Sequence, residues 1–250
     1  MPLSAGNAFT GRGCAFMTTQ ALQLTGNGLA CRRGGRLLFS GLSFQVSAGE
    51  MLMLRGPNGV GKTSLLRMIA GFIRPAAGQV ALHGGEADAP LAQQCHFIAH
   101  QNAIKPQLTV EENLRFWGGF LSGQPVDEAR LAEAIEALRL EALRHLPAGV
   151  LSAGQKRRTA LARIALARRP VWLLDEPTVG LDTASQAALC DLMRKHLDAG
   201  GIIIASTHVD FGMPATRTLA LTPPEDAFAE PEPEMKPETE TGAAAGEASA

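Results

Sequence analysis

Residues 56–63 read GPNGVGKT, which fits the GxxxxGK[ST] spacing between a hydrophobic run and a helical pattern. Gly56, Gly59 and Gly61 let the backbone wrap closely around a phosphate, while successive N–H groups and the start of a helix supply partial positive charge. Lys62 then reaches the β- and γ-phosphates, and the Thr63 hydroxyl is offered to Mg²⁺. The whole run, including Pro57, Asn58, Val60 and the following Ser64, is therefore a candidate cradle for a nucleoside triphosphate. A second chemical centre follows the apolar run VWLLD. Asp175 ends that run and Glu176 comes next: the first carboxylate suits a magnesium ion, the second a water poised for in-line attack on a γ-phosphate. Pro177 stiffens the exit. His208 closes the run IIIASTH, and Gln101 closes CHFIAHQ; both are expected to reach the γ-phosphate region, and Gln101 to pass its state on to the segment that follows.

These residues need a frame that brings them to one edge. EMLMLRG, CHFIAHQ, VWLLD and GGIIIAST are short apolar runs of the kind that form covered strands of a parallel sheet, whose ligand edge is the C-terminal one. LQLTGNGLAC and LLFSGLSFQV read as antiparallel strands with glycine turns, and GQVALHGG as a hairpin strand. Helical periodicity runs from Thr63 to Ile69 and stops at Gly71. TVEENLRFWGGFLSG and VDEARLAEAIEALRLEALRHL show apolar residues at three- and four-residue spacing, which predicts amphipathic helices in a separate lobe at about residues 106–168. A basic helix over 154–168, ended by Pro170, precedes VWLLD. The expected class is α/β: a mostly parallel core with an antiparallel β subdomain and a helical insertion.

Composition limits what this frame serves. The 250 residues are 46% hydrophobic, enough for one sizeable core. Cys14, Cys31, Cys95 and Cys190 form no CxxC pair, so neither a disulfide framework nor a zinc ribbon is indicated and a reducing compartment fits. The sequence has no apolar stretch long enough for a membrane span and no signal-peptide core at its start. The net charge of −1 hides an asymmetry. From Pro223 onward, eight acidic residues and one lysine give −7, leaving +6 for the rest. That Pro-, Glu- and Ala-rich tail, 223–250, is expected to be disordered, as is an extension over 1–17 in which Met17 offers an alternative start. The folded unit is then 18–222.

Taken together, GPNGVGKT, Gln101, LSAGQ at 151–155, VWLLDEP, GLD at 180–182 and His208 resemble the nucleotide-binding domain of ATP-binding cassette proteins over residues 20 to about 220. The resemblance implies a P-loop NTPase core of ABC type with ATP and Mg²⁺ as ligands. It also implies a head-to-tail dimer that sandwiches ATP between the phosphate loop of one copy and LSAGQ of the other. Ser152, Gly154 and Gln155 would then reach the γ-phosphate held by a second copy, Gln101 would add to the magnesium contacts of Thr63 and Asp175, and Asp182 would belong to a turn linking the two sites. Glu176, His208, Lys62 and Gln101 would carry hydrolysis. Two departures stand out. Ala153 replaces the first glycine of the usual LSGGQ. Arg33 lies where the family commonly places an aromatic ring against adenine, so the base would rest on its guanidinium, or on Cys31 or Arg32.

Among these proteins the chain looks particularly like the ATP-binding subunits of cytochrome c maturation, the haem exporter ATPases, in LLFSGLSFQVSAGEMLMLRGPNGVGKTSLLRMIAG, LSAGQKRRTALARI and QLTVEENLRFW. That likeness implies a peripheral Mg-dependent ATPase on the cytoplasmic face of the inner membrane, docked on multispanning subunits and serving haem export or release of a haem–chaperone complex. The alternatives are the ATPase of a transporter for another substrate, or a soluble cassette ATPase acting on nucleic acid. Direct nucleic-acid binding is not expected, because Arg157, Arg158, Arg163, Arg168 and Arg169 read as surface residues of one helix. Nor is direct haem binding: there is no CxxCH, and His83, His96, His100, His145 and His196 are scattered.

Overall fold

The structure is a computed structural model that describes residues 21–207 and 212–223. His208, the 1–17 extension and the tail from 224 lie outside the described residues. Among the described residues, eight strands and five α-helices follow in the order β1 (Gln23–Arg33), β2 (Arg36–Ser47), β3 (Met51–Arg55), α1 (Lys62–Ile69), β4 (Ala77–His83), β5 (Cys95–Ile98), α2 (Val110–Ser122), α3 (Glu128–Ala137), α4 (Ala153–Ala162), β6 (Val171–Asp175), α5 (Thr183–Asp198), β7 (Ile202–Ser206) and β8 (Arg217–Ala220). Two sheets result: antiparallel β2-β1-β4, and β5-β6-β7-β3-β8 with every pairing parallel.

Strands β3, β6 and β7 are buried along almost their whole length, which explains their unbroken apolar sequences: both faces are covered. The two-residue period of a strand then divides their side chains between two cores. Leu52, Leu54, Val171, Leu173, Ile202 and Ile204 pack toward α1 and the antiparallel sheet. Met51, Met53, Trp172, Leu174, Ile203 and Ala205 face the other way, onto α5 and the helical lobe. Register aligns the business ends, since Ser206 pairs with both Leu54 and Asp175. The ends of β3, β6 and β7 therefore meet at one edge.

The helical lobe departs from the sequence reading in two places. Helical spacing runs through VDEARLAEAIEALRLEALRHL, but α3 stops at Ala137 and Arg139 takes a left-handed φ of 56°. Leu138 and Leu140 are both fully buried, and residues two apart do not share a helix face. The chain turns to bury both, and the Arg158 guanidinium donates to the carbonyls of Leu138 and Arg139 at 3.3 and 2.7 Å. The basic helix is likewise shorter than 154–168. It spans Ala153–Ala162 and tightens into a 3₁₀ turn at Arg163–Ala165, because Ile164, Leu166 and Ala167 all turn inward. Among the described residues, no helix is long and apolar enough to cross a membrane.

Candidate functional site

A cavity of about 460 Å³ opens at the C-terminal edge of the parallel sheet, between the 56–61 loop and the end of β6. Its walls include Asn58, Gly59, Gly61, Lys62, Thr63 and Ser64 on one side and Asp175 and Glu176 on the other. The loop fits only glycine at its base: Gly56 has φ 140°, and a Cβ there would stand 2.5 Å from the Leu221 carbonyl. That carbonyl belongs to the chain leaving β8, which is held to β3 by Leu221 N–H donating to Arg55 O at 2.8 Å. Four short residues with mixed exposure make β8, too weak a pattern for the sequence to announce it.

Helix α1 begins at Lys62 with Gly61 as its cap, and no side chain caps it. The other four α-helices are each capped by a side chain: Thr109, Asp127, Ser152 and Asp182. Its first turn also contains no acid. The one α-helix start without a side-chain cap among the described residues therefore faces the cavity, where an anion would supply the missing acceptor and meet the positive end of the helix dipole. Lys62 is buried, and its Nζ donates to the carbonyls of Gly56 and Pro57 at 2.7 and 3.1 Å, so the cation is held beside the loop it serves. Val60 is buried under the loop.

Asp175 is 4% exposed and both carboxylate oxygens are engaged. Thr63 Oγ1 donates to Oδ2 at 2.9 Å and Ser206 Oγ donates to Oδ1 at 2.6 Å. A hydroxyl and a carboxylate are thus brought together at the cavity wall, a hard-oxygen pair suited to magnesium, which takes few protein ligands and keeps phosphate and water oxygens as the rest. Ser206, the last residue of β7, went unnoticed in the sequence; its only signal there is a polar residue closing an apolar strand. Glu176 follows with φ 47°, a left-handed conformation, and its N–H donates to Ser206 O at 3.0 Å. The turn points the chain out of the sheet and leaves the Glu176 side chain on the cavity wall.

The other predicted residues are distributed as follows. Gln101 is exposed and absent from the cavity lining, whereas its neighbour His100 lines it. Arg33 sits at the exposed tip of the β1–β2 hairpin, paired with Arg36. Arg32 donates to Gly35 O at 3.2 Å in the same tip, and Cys31 is buried. The apolar residue that β2 contributes to the cavity is Leu38.

Residues 152–155 also lie outside this cavity lining. Ser152 and Gln155 form a reciprocal capping box: Gln155 N–H donates to Ser152 Oγ at 3.2 Å and Ser152 N–H to Gln155 Oε1 at 2.9 Å. The hydroxyl accepts and so retains its own proton for donation. Ala153 is exposed, which explains why a methyl is accommodated there. Gly154 admits none, because a Cβ would stand 2.5 Å from Gly180 O. Asp182 caps α5 by accepting from Ser185 N–H at 2.7 Å.

The arginines of α4 and the segment after it are not all surface residues. Arg157 and Arg163 are 4% and 7% exposed. Arg157 donates into the Asp175–Pro177 turn and the Ala99–Asn102 loop; burial lowers its pKa, and the charges of Asp175 and Glu176 oppose that shift. Arg163 lies 4.7 Å from the centre of the Trp117 ring, and burial brings its pKa down to about 10. The periodic spacing of these arginines is helical, but it does not reveal that the helix is enclosed on more than one side.

Residues 39–179 match the family model described as ABC transporter. Relatives include the cytochrome c biogenesis ATP-binding export protein CcmA of Rhodopseudomonas palustris (strain BisB5), 54% identical over 192 residues, or 77% of this chain and 94% of the relative. The protein of the same name from Bradyrhizobium diazoefficiens is 50% identical over 192 residues, with the same coverage of 77% and 94%. A solved structure described as the ATP binding subunit of an ABC transporter superposes with a TM-score of 0.66 at 29% identity, covering 74% of this chain and 79% of that one.

Proposed function

Because this chain belongs to the ABC transporter family, we propose that it is the ATP-hydrolysing subunit of a bacterial inner-membrane complex for cytochrome c biogenesis, driving haem export or release of a haem–chaperone complex. The observation that carries the ATPase reading is the cavity in which the start of α1, without a side-chain cap, and Lys62 face Asp175 and Glu176. The CcmA relatives, matched over 94% of their length, support the cytochrome c assignment.

The triphosphate of ATP lies along residues 56–64, where backbone N–H groups and the Lys62 ammonium donate to its oxygens. Thr63 and Asp175, joined by Gln101 if its loop turns inward, would hold Mg²⁺, which would offset the negative charge of the triphosphate. Ser152, Gly154 and Gln155 of a second copy close over the γ-phosphate; within one chain they lie outside the lining of its own cavity, which suits a head-to-tail pair. The attacking water loses its proton to the Glu176 carboxylate as its oxygen bonds to the γ-phosphorus, and the bond to the bridging oxygen of ADP breaks. His208 orients water and γ-phosphate. Adenine rests against Leu38 or the Arg33 guanidinium. The subunit sits peripherally on the cytoplasmic face of the inner membrane, docked on multispanning subunits.

Affinity isolation of the tagged protein from gently solubilised native membranes, with mass spectrometry of the co-purifying chains, tests the assignment. Small multispanning cytochrome c maturation proteins are expected. Recovery of an unrelated permease would overturn the substrate and keep the ATPase; recovery of soluble or nucleic-acid-bound partners alone would overturn the transporter reading.

A further inference from the structure

The Arg157 guanidinium has five N–H donors, and the structure gives it five acceptors. Nη2 donates to the carbonyls of Asp175 and Glu176, each at 2.9 Å, and Nε to that of Pro177 at 3.4 Å. Nη1 donates to Ala99 O at 2.7 Å and to Asn102 Oδ1 at 3.3 Å. The acceptors belong to two segments far apart in sequence: the turn that carries Glu176, and the loop leaving β5 toward the helical lobe. Arg157 itself stands on α4, the helix whose start is Ser152 and Gly154. One buried side chain therefore ties three segments of the proposed machinery together.

The turn it holds is strained. Glu176 has φ 47° without being glycine, a strained conformation that persists only where the surroundings over-determine it. Here Ser206 holds the turn through the Glu176 N–H, and Arg157 holds it through the carbonyls on either side of that residue. Lysine has three donors on a tetrahedral head and cannot reproduce a planar fork spanning both segments.

We infer that Arg157 is a positioning residue for hydrolysis, fixing the Glu176 turn to the 99–102 loop so that the carboxylate is aimed at the nucleotide and moves together with the loop that leads into the helical lobe. This rests on the hydrolytic reading above. Arg157 touches no reacting atom and acts through Glu176.

The test compares full-length wild type, Arg157→Lys, Asn102→Ala, Glu176→Gln and the Arg157→Lys/Glu176→Gln double variant. The measurements are kcat and KM for ATP, affinity for a non-hydrolysable ATP analogue, single-turnover rates and thermal midpoint. Arg157→Lys is expected to lose on the order of 10- to 100-fold in kcat, as a misplaced group does, with analogue affinity held. Added to Glu176→Gln it should give little further loss, because both act on one step. Asn102→Ala removes a single long bond and should lower kcat by about 2-fold at constant KM, a small share of the positioning. Unchanged kcat in Arg157→Lys, a parallel fall of analogue affinity and thermal midpoint, or multiplicative losses in the double variant would overturn the inference. If Arg157→Lys does not fold, Asn102→Ala decides: unchanged kcat overturns, a fall at constant KM supports. Wild-type turnover in Glu176→Gln would instead sink the hydrolytic reading beneath it.

Discussion

Glu176 sits at the junction of two demands, a backbone conformation that glycine would tolerate better and a side chain that glycine does not have. Its φ of 47° places the carboxylate on the cavity wall. Under the proposed function the side chain takes a proton from water, and Glu176→Gln separates the two demands because it keeps size and backbone while removing basicity. The variant is expected to bind ATP as wild type does and to lose on the order of 10²–10⁴ in kcat, the usual share of a general base. Equal hydrolysis by variant and wild type in a phosphate-release assay would exclude that role. Gly154 offers a complementary test away from the cavity. Alanine there must displace the Gly180 carbonyl, whereas glycine at Ala153 meets no such obstacle. Gly154→Ala should therefore abolish most turnover and Ala153→Gly should change it little; the reverse order, measured in the same assay, would refute the packing argument.

At the scale of elements, the lobe end of the loop joining core to lobe, residues 105–109, is fastened by Asn113. Asn113 on α2 is 1% exposed; it accepts from Lys105 N–H at 2.8 Å and donates to the carbonyls of Lys105, Leu108 and Thr109 at 2.9–3.1 Å. Asn113→Leu keeps the volume and strands those backbone groups, at a cost on the order of 3 kcal/mol. For a domain of this size each kcal/mol lowers the thermal midpoint by roughly 2–4 °C; an unshifted midpoint would show that water replaces the amide. The sequence made α2 legible through its spacing, and it made the phosphate loop, Asp175 and Glu176 legible because their neighbours in the chain are also their neighbours in space. Arg157, Ser206 and Asn113 were opaque for the opposite reason. Their partners are largely backbone groups, which carry no residue identity, and for Arg157 and Ser206 those partners come from distant segments. The break after α3 was hidden by Leu138 and Leu140, both apolar, whose joint burial only the folded lobe enforces.

The whole molecule has a pH limit built into its interior. The His96 ring donates through Nε2 to Ala167 O at 2.8 Å in a 2% exposed site, and His196 stacks on Trp172 with 3.8 Å between ring centres. Burial pushes both rings from 6.5 down to about 4, with Arg169, Arg163 and His196 adding to the effect at His96. Both are neutral in the fold and protonate near 6.5 when unfolded, so between pH 6.5 and about 4 the unfolded chain holds more protons. Stability therefore falls as pH is lowered through that window, by about 3 kcal/mol per ring at its end. His196→Phe keeps the stack and removes one titration, and should flatten the fall in thermal midpoint by about half if each ring contributes equally. An unaltered slope would assign the acid sensitivity elsewhere.

The bare start of α1 has a thermodynamic consequence for the folded chain. Every other α-helix among the described residues carries its own N-terminal acceptor, but this one borrows it from whatever occupies the cavity. A ligand that completes a helix only in the folded state shifts the folding equilibrium by mass action, about 2.7 kcal/mol at a hundredfold excess over its dissociation constant. On the proposed function, resistance to unfolding therefore tracks nucleotide: ATP added to the folded chain is expected to raise its thermal midpoint, and an unmoved midpoint at saturating ATP would show that the start of α1 is not completed by the ligand.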